Sequence, residues 1–340
     1  MKIASVDIGY SSVKIAHGPG EGRAPEMLHL PVGAAPESRC GVTLGGELAV
    51  GAGHRVMING EPWVAGIDPA RLADFIQSMD EGYVSTDEYR ALFYAALSAI
   101  GEPTIDVLVT GLPVAHFRDE VMKLGLEKMM SGRHHIRDDL VVEVKRVIVV
   151  PQPAGAFSAH MIDAQRGPDR LRVKHGRSVL VVDPGHYSLD WIMFLDSFRM
   201  DSSGSNARAG EAVVRDAASA LSKSYGVKVR PTRLQEAVLH NAGPLEIGRH
   251  SIDFWPAVRT AAAEIVNASL RQIRGSVRQV MDERGVDLVL VAGGGAELFF
   301  EPLRAAFADA EVVRVANPMM ANARGYYIYG MREASASAAA

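Results

Sequence analysis

Asp7 and Asp183 hold the same place in two copies of one short pattern. The first copy reads Val6-Asp7-Ile8-Gly9-Tyr10-Ser11-Ser12-Val13-Lys14, and the second reads Val182-Asp183-Pro184-Gly185-His186-Tyr187-Ser188-Leu189-Asp190. A carboxylate beside a Gly turn suits a hard cation. It would face Mg²⁺ through the water that this ion sheds reluctantly. The turn itself aims several backbone N–H groups into one concavity, a nest for phosphate oxygens. Two such turns across a cleft would clamp a nucleoside triphosphate from both sides. Gly9, Tyr10, Ser11 and Ser12 are the candidate phosphate contacts of the first turn, and Gly185, His186, Tyr187 and Ser188 those of the second. Asp7 and Asp183 are the candidate metal-facing and catalytic groups.

The elements that must position them are legible on either side. Each copy ends one apolar, β-branched run and opens another, so each reads as a strand, a tight turn and a returning strand. A plain hairpin turn would account for either copy alone; the repetition points to two related halves. The halves are not equivalent, because Lys14 closes the first copy and Asp190 the second. Asp190 reads equally as a solvated strand residue, a partner for a nearby base, or a catalytic group.

Between and after the hairpins the pattern alternates. Residues 17–70 read as a meander of strands and loops, rich in Gly and Pro. A helix is predicted from Thr86 or Asp87 to Ile100, with Leu92, Phe93, Ala96 and Leu97 as its buried stripe. Residues 105–113 read as one buried strand, 117–130 as a helix and 141–150 as another strand. Gln152 then precedes a helix entered at Pro153, where a missing N–H costs little, and continuing to Ala164. The polar stretch 166–170 is the expected domain boundary. Past it come a strand feeding the second turn, helices at 209–224, 231–239 and 256–284, and a buried strand at 287–292. Gly293-Gly294-Gly295 turns that strand into a further helix. Glycines there let a backbone approach a ligand closely, or simply make a strand–helix turn. Arg233 and Glu236 lie one helical turn apart on one face, as a surface ion pair or a ligand contact.

Other features carry less. His134-His135 sits in a polar segment and reads as solvated. Gly18-Pro19-Gly20-Glu21-Gly22 leads into no helix, and the chain has no Gly-Lys dipeptide, so a Walker-type phosphate loop is excluded. The 340 residues suffice for two domains with their own cores. A net charge of −4 gives no bulk basic footprint, which argues against direct nucleic-acid binding by the whole surface. Cys40 is the one cysteine, so neither an intramolecular disulfide nor a Cys-based zinc site can form. No apolar run reaches the length of a membrane span and no leader is evident, so a cytoplasmic protein with no membrane partner is expected.

The paired hairpins resemble the phosphate-1 and phosphate-2 loops of the actin, Hsp70 and sugar kinase superfamily. Within it the chain is similar to the ParM/StbA branch of bacterial actin-like proteins, which segregate plasmids. The second hairpin resembles that branch's Asp-Leu-Gly-Gly-Thr-Thr-Leu-Asp. Asn317-Pro318-Met319-Met320-Ala321-Asn322-Ala323-Arg324-Gly325 looks like its closing Pro-X-X-Ala-Asn-X-X-Gly segment. Pro184, His186 and Tyr187 depart from the usual loop residues.

The resemblance implies a duplicated actin-like, ribonuclease H-like α/β fold. Each of its two domains has a mixed sheet flanked by helices, around a nucleotide cleft. Domain I would be 1–165 with 315–340, and domain II 166–314. It implies ATP/ADP with Mg²⁺, Lys14 on the β/γ-phosphates, Gln152 orienting the attacking water, and Gly293 to Gly295 as the adenosine motif. Arg233 and Glu236 would touch the ribose or adenine. The implied activity is slow ATP hydrolysis by a self-assembling filament, with plasmid cargo engaged through a separate DNA-binding adaptor. A small-molecule kinase of the same fold and a non-hydrolysing nucleotide-sensing scaffold stay open as alternatives.

Overall fold

The computed structural model describes residues 1–20, 23–41, 53–72, 82–166, 176–185, 188–206, 209–239 and 242–339. The chain divides into two compact units, Met1–Lys174 with Val315–Ala340, and His175–Arg314. Residues 167–170 of the expected linker lie outside the described residues.

The first unit is built on a five-stranded sheet in the order Val147–Pro151, Val107–Leu112, Ile3–Ile8, Ser12–Gly18, Glu26–Pro31. Ile3–Ile8 runs antiparallel to Ser12–Gly18 and parallel to Val107–Leu112. Every residue of Ile3–Ile8 is buried, Ser5 and Asp7 included. One face packs on the helix Asp87–Ile100, whose Leu92, Phe93, Ala96 and Leu97 are fully buried as the periodicity predicts. Thr86 caps that helix by accepting the Tyr89 N–H at 3.2 Å, and Gly101 ends it in the left-handed region at φ 69°. The other face packs on the C-terminal helix Ala321–Ala339 through Tyr326 and Tyr327. The expected meander forms a three-stranded sheet in the order Gly33–Pro36, Glu61–Ile67, His54–Ile58.

The second unit repeats the plan. Its five-stranded sheet runs Glu311–Arg314, Leu288–Val291, Ser178–Pro184, Leu189–Leu195, Ser197–Asn206, with the same pattern of parallel and antiparallel neighbours. Leu180, Val182, Trp191 and Met193 share a core with Val266, Leu270 and Ile273 of the helix Trp255–Ser276 and with Phe299 and Leu303 of Ala296–Ala306. Both units are thus mixed sheets flanked by helices.

Several expected elements divide. The predicted strand 105–113 is two strands in two sheets, Thr104–Ile105 and Val107–Leu112. The predicted strand 141–150 likewise splits into Leu140–Val144 and Val147–Pro151. The two pairs cross between sheets together, and Asp106 fixes the crossing by accepting the Lys2 N–H and the Lys145 ammonium, each at 2.7 Å. The predicted helix 117–130 is a short turn, Val114–Phe117, followed by Glu120–Met130. Asp119 starts the latter by accepting the Val121 N–H at 2.9 Å. The predicted helix 256–284 breaks at Val277 into Trp255–Ser276 and Arg278–Glu283.

The His134-His135 segment is a strand, Gly132–Arg137. His134 is buried, its ring edge-on to Phe93 and its Nε2 3.0 Å from the Met130 carbonyl, so it is a core residue rather than a solvated one. Among the described residues no helix is long and apolar enough to cross a membrane.

Candidate functional site

The two turns close with the same backbone bond. The Gly9 N–H donates to the Ser12 carbonyl at 3.0 Å, and the Gly185 N–H donates to the Ser188 carbonyl at 2.8 Å. In the first hairpin Asp7 and Lys14 are register partners, and the Lys14 ammonium stands 3.2 Å from Asp7 Oδ2. Asp7 is 4% exposed and Lys14 15%, so this pair has little water around it. Tyr10 stacks on Tyr83 with ring centroids 4.9 Å apart, and Tyr83 meets Tyr89 edge-on. Burial, then Tyr83 and Asp7, push the Tyr89 phenol far above its ordinary range, so it stays neutral beneath the turn.

Gln152 sits where the strand Val147–Pro151 meets the helix Pro153–Arg166. Its backbone carbonyl, not its side chain, starts that helix, by accepting the Gly155 N–H at 3.2 Å. Its side-chain Nε2 lies 3.3 Å from Asp7 Oδ1. Asp7, Lys14 and Gln152 therefore form one contiguous polar group at the end of the first sheet. Sequence reasoning missed the residue beneath them: the fully buried Tyr326, whose hydroxyl donates to the Gln152 carbonyl at 3.0 Å. Its signal was the aromatic pair in the closing helix, which reads as ordinary core.

In the second unit Asp183 is the register partner of Asp190. Asp190 is buried and accepts the Ser188 hydroxyl at 2.7 Å and the Ser205 hydroxyl, so the reading of a solvated strand residue is corrected. His186 and Tyr187 lie outside the described residues. The glycine run folds back onto this hairpin. The Gly295 N–H donates to the Pro184 carbonyl at 2.8 Å. Gly293 takes φ 74°, and a Cβ there would collide with the Asp183 carboxylate, so glycine is required on both counts. Gly294 has open space where a side chain would start. Arg233 and Glu236 are exposed, and Arg233 donates to the Glu246 carbonyl at 2.6 Å.

Each turn thus has a carboxylate beside it, which suits a largely hydrated Mg²⁺, while the N–H of Gly9 and of Gly185 is spent closing its own turn. Among the described residues no three His, Cys, Asp or Glu side chains cluster as an all-protein metal cage would need.

Residues 5–155 match the family described as actin-like proteins, N-terminal domain. No curated protein matches the chain significantly in sequence. Among solved structures, a non-polymerisable quadruple mutant of pCBH ParM aligns over 97% of this chain and 99% of its own, with a TM-score of 0.75 at 16% identity. Ta0583, an archaeal actin homologue, aligns over 98% and 100%, with a TM-score of 0.75 at 19% identity. That homologue is also solved in complex with ADP. The ParM of a 15-stranded filament from Clostridium botulinum aligns over 97% and 99%, with a TM-score of 0.73 at 17% identity. The fold expected from the motifs is upheld: the chain has an actin-like fold, similar to that of ParM and of the archaeal homologue, and its residues 5–155 match the N-terminal domain model of the actin-like proteins.

Proposed function

We propose that this chain is a Mg²⁺-dependent ATPase that assembles into filaments, and that the filaments segregate plasmid DNA through a DNA-binding adaptor. The observation that carries the nucleotide reading is the matched pair of turns, Gly9 onto Ser12 and Gly185 onto Ser188, each next to a carboxylate. Each turn holds phosphate oxygens on its backbone N–H groups. Lys14 supplies a compact charge for the β/γ-phosphates. Asp7 and Asp183 are the residues that would face a bound Mg²⁺ through its water, and the ion would supply neutralisation of phosphate charge. The Gly293 to Gly295 turn takes the adenosine, and Arg233 and Glu236 border the ribose or adenine.

Gln152 orients the attacking water through its carbonyl oxygen. The water oxygen bonds to the γ-phosphorus as the bond to the bridging oxygen breaks. ADP leaves with that electron pair, and the water's proton passes to phosphate or solvent. A neutral amide is a weak base, so turnover is slow, as a nucleotide-timed polymer needs. The ADP complex of Ta0583 and the ParM filament support the nucleotide and the polymer respectively. The filament works in the cytoplasm.

One second reading rests on the second turn, where Pro184 departs from the resembled branch and brings no N–H for phosphate: a scaffold that senses nucleotide without hydrolysing it. Product analysis with Mg-ATP separates the readings: free phosphate for the ATPase, a phosphorylated metabolite for a kinase, neither for the scaffold.

A further inference from the structure

Asp7 is in contact with two groups, one on each oxygen. Gln152 Nε2 lies 3.3 Å from Oδ1, and Lys14 Nζ lies 3.2 Å from Oδ2. An ionised carboxylate only accepts hydrogen bonds, so the NH₂ end of the Gln152 amide must face it. The backbone under that side chain is pinned at three points. The Gln152 N–H donates to the Leu112 carbonyl at 2.8 Å, and the Gln152 carbonyl accepts from Gly155 N–H at 3.2 Å and from the Tyr326 hydroxyl at 3.0 Å. With the backbone fixed, the contact with Asp7 sets which end of the amide faces inward.

We propose that Asp7 is a positioning residue for hydrolysis: it holds the Gln152 amide with its NH₂ inward and its carbonyl oxygen outward, as the acceptor for the attacking water. This rests on the reading of Gln152 as the water-orienting group. An amide turned the other way would offer water only donors and could not align its lone pair on phosphorus. Lys14 completes the arrangement by occupying Oδ2, which leaves Oδ1 to Gln152. Its own register partner on the next strand is His29, whose imidazole is held below its usual pKa by burial and then by Lys14.

The test is side-chain NH₂ exchange at Gln152 in the nucleotide-free protein, read by NMR. In the wild type it should be slow, and in Asp7→Ala, which removes the acceptor, it should become at least about tenfold faster, as loss of about one net hydrogen bond to a charged group allows. Unchanged exchange in the variant overturns the proposal, and so does wild-type exchange as fast as that of a free amide, which needs no variant to fold. Neither reading needs nucleotide, so a wild-type chain that hydrolyses no ATP would refute the proposed function separately.

Discussion

Gly155 and Gly325 meet backbone to backbone where the helices Pro153–Arg166 and Ala321–Ala339 cross. A Cβ on Gly325 would fall on the Gly155 carbonyl. The crossing is fixed by Asn322 Oδ1, which accepts the Ala156 N–H at 3.0 Å, and by Arg324, which pairs with Asp163. It seats Tyr326 beneath Gln152, so packing between two helices sets the height of a candidate catalytic side chain.

Gly325→Ala should therefore destabilise the first unit by about 1–3 kcal/mol or more, because backbone and not a flexible side chain stands in the way. Gly125, exposed in the helix Glu120–Met130 with nothing near its missing Cβ, is the contrast. Gly125→Ala should raise stability by about 0.5–1 kcal/mol through helix propensity alone. Chemical denaturation of both variants checks the pair, and equal effects of the same sign would refute the close crossing.

The duplication was readable because it is local. One Asp-X-Gly turn between two apolar runs fixes a hairpin, and repeating it fixes a second. Thr86 as a cap and the Leu92, Phe93, Ala96, Leu97 stripe were readable for the same reason. What stayed hidden is tertiary. Nothing in the apolar run around Asp106 says that its halves join different sheets; that follows only once Lys145 and Lys2 arrive at its carboxylate. His134 looked solvated because its neighbours are polar, yet Phe93 and Tyr94 cover it from a helix distant in sequence. The contact of Gln152 with Asp7 likewise depends on strand order, not on spacing.

Asp183→Ala should abolish ATP turnover, and Gln152→Ala should lower it about 100-fold while nucleotide affinity changes little, because an aligning group contributes to kcat more than to binding. Phosphate release and calorimetric titration measure the two quantities. Wild-type turnover in both variants would show that the hydrolytic roles are misassigned.

Stability should decline on acidification. Burial, then Arg137, holds His54 below its usual pKa, and burial is the main cause of the same shift at His134. A histidine depressed in the folded state binds its proton only in the unfolded chain just below the ordinary value of about 6.5, so stability falls as pH drops through it and levels off below the folded value. Denaturation midpoints at about pH 7.5 and 5.5, on either side of that value, should show the loss, and His134→Gln should shrink it. A midpoint that rises on acidification would contradict these assignments.

Nucleotide should govern assembly of this chain. A polymer of this kind grows by a heterologous contact, one surface meeting a different surface of the next copy, which leaves the filament open. A coupling of about 1–3 kcal/mol between nucleotide and subunit contact would move the critical concentration roughly 5–150-fold. Pelleting with negative-stain electron microscopy, over a protein titration with and without Mg-ATP, reads this directly. Filaments that appear at a lower protein concentration with Mg-ATP, and that Asp183→Ala no longer forms in response to it, are the predicted result. A chain that hydrolyses ATP yet stays monomeric across the titration would contradict the account.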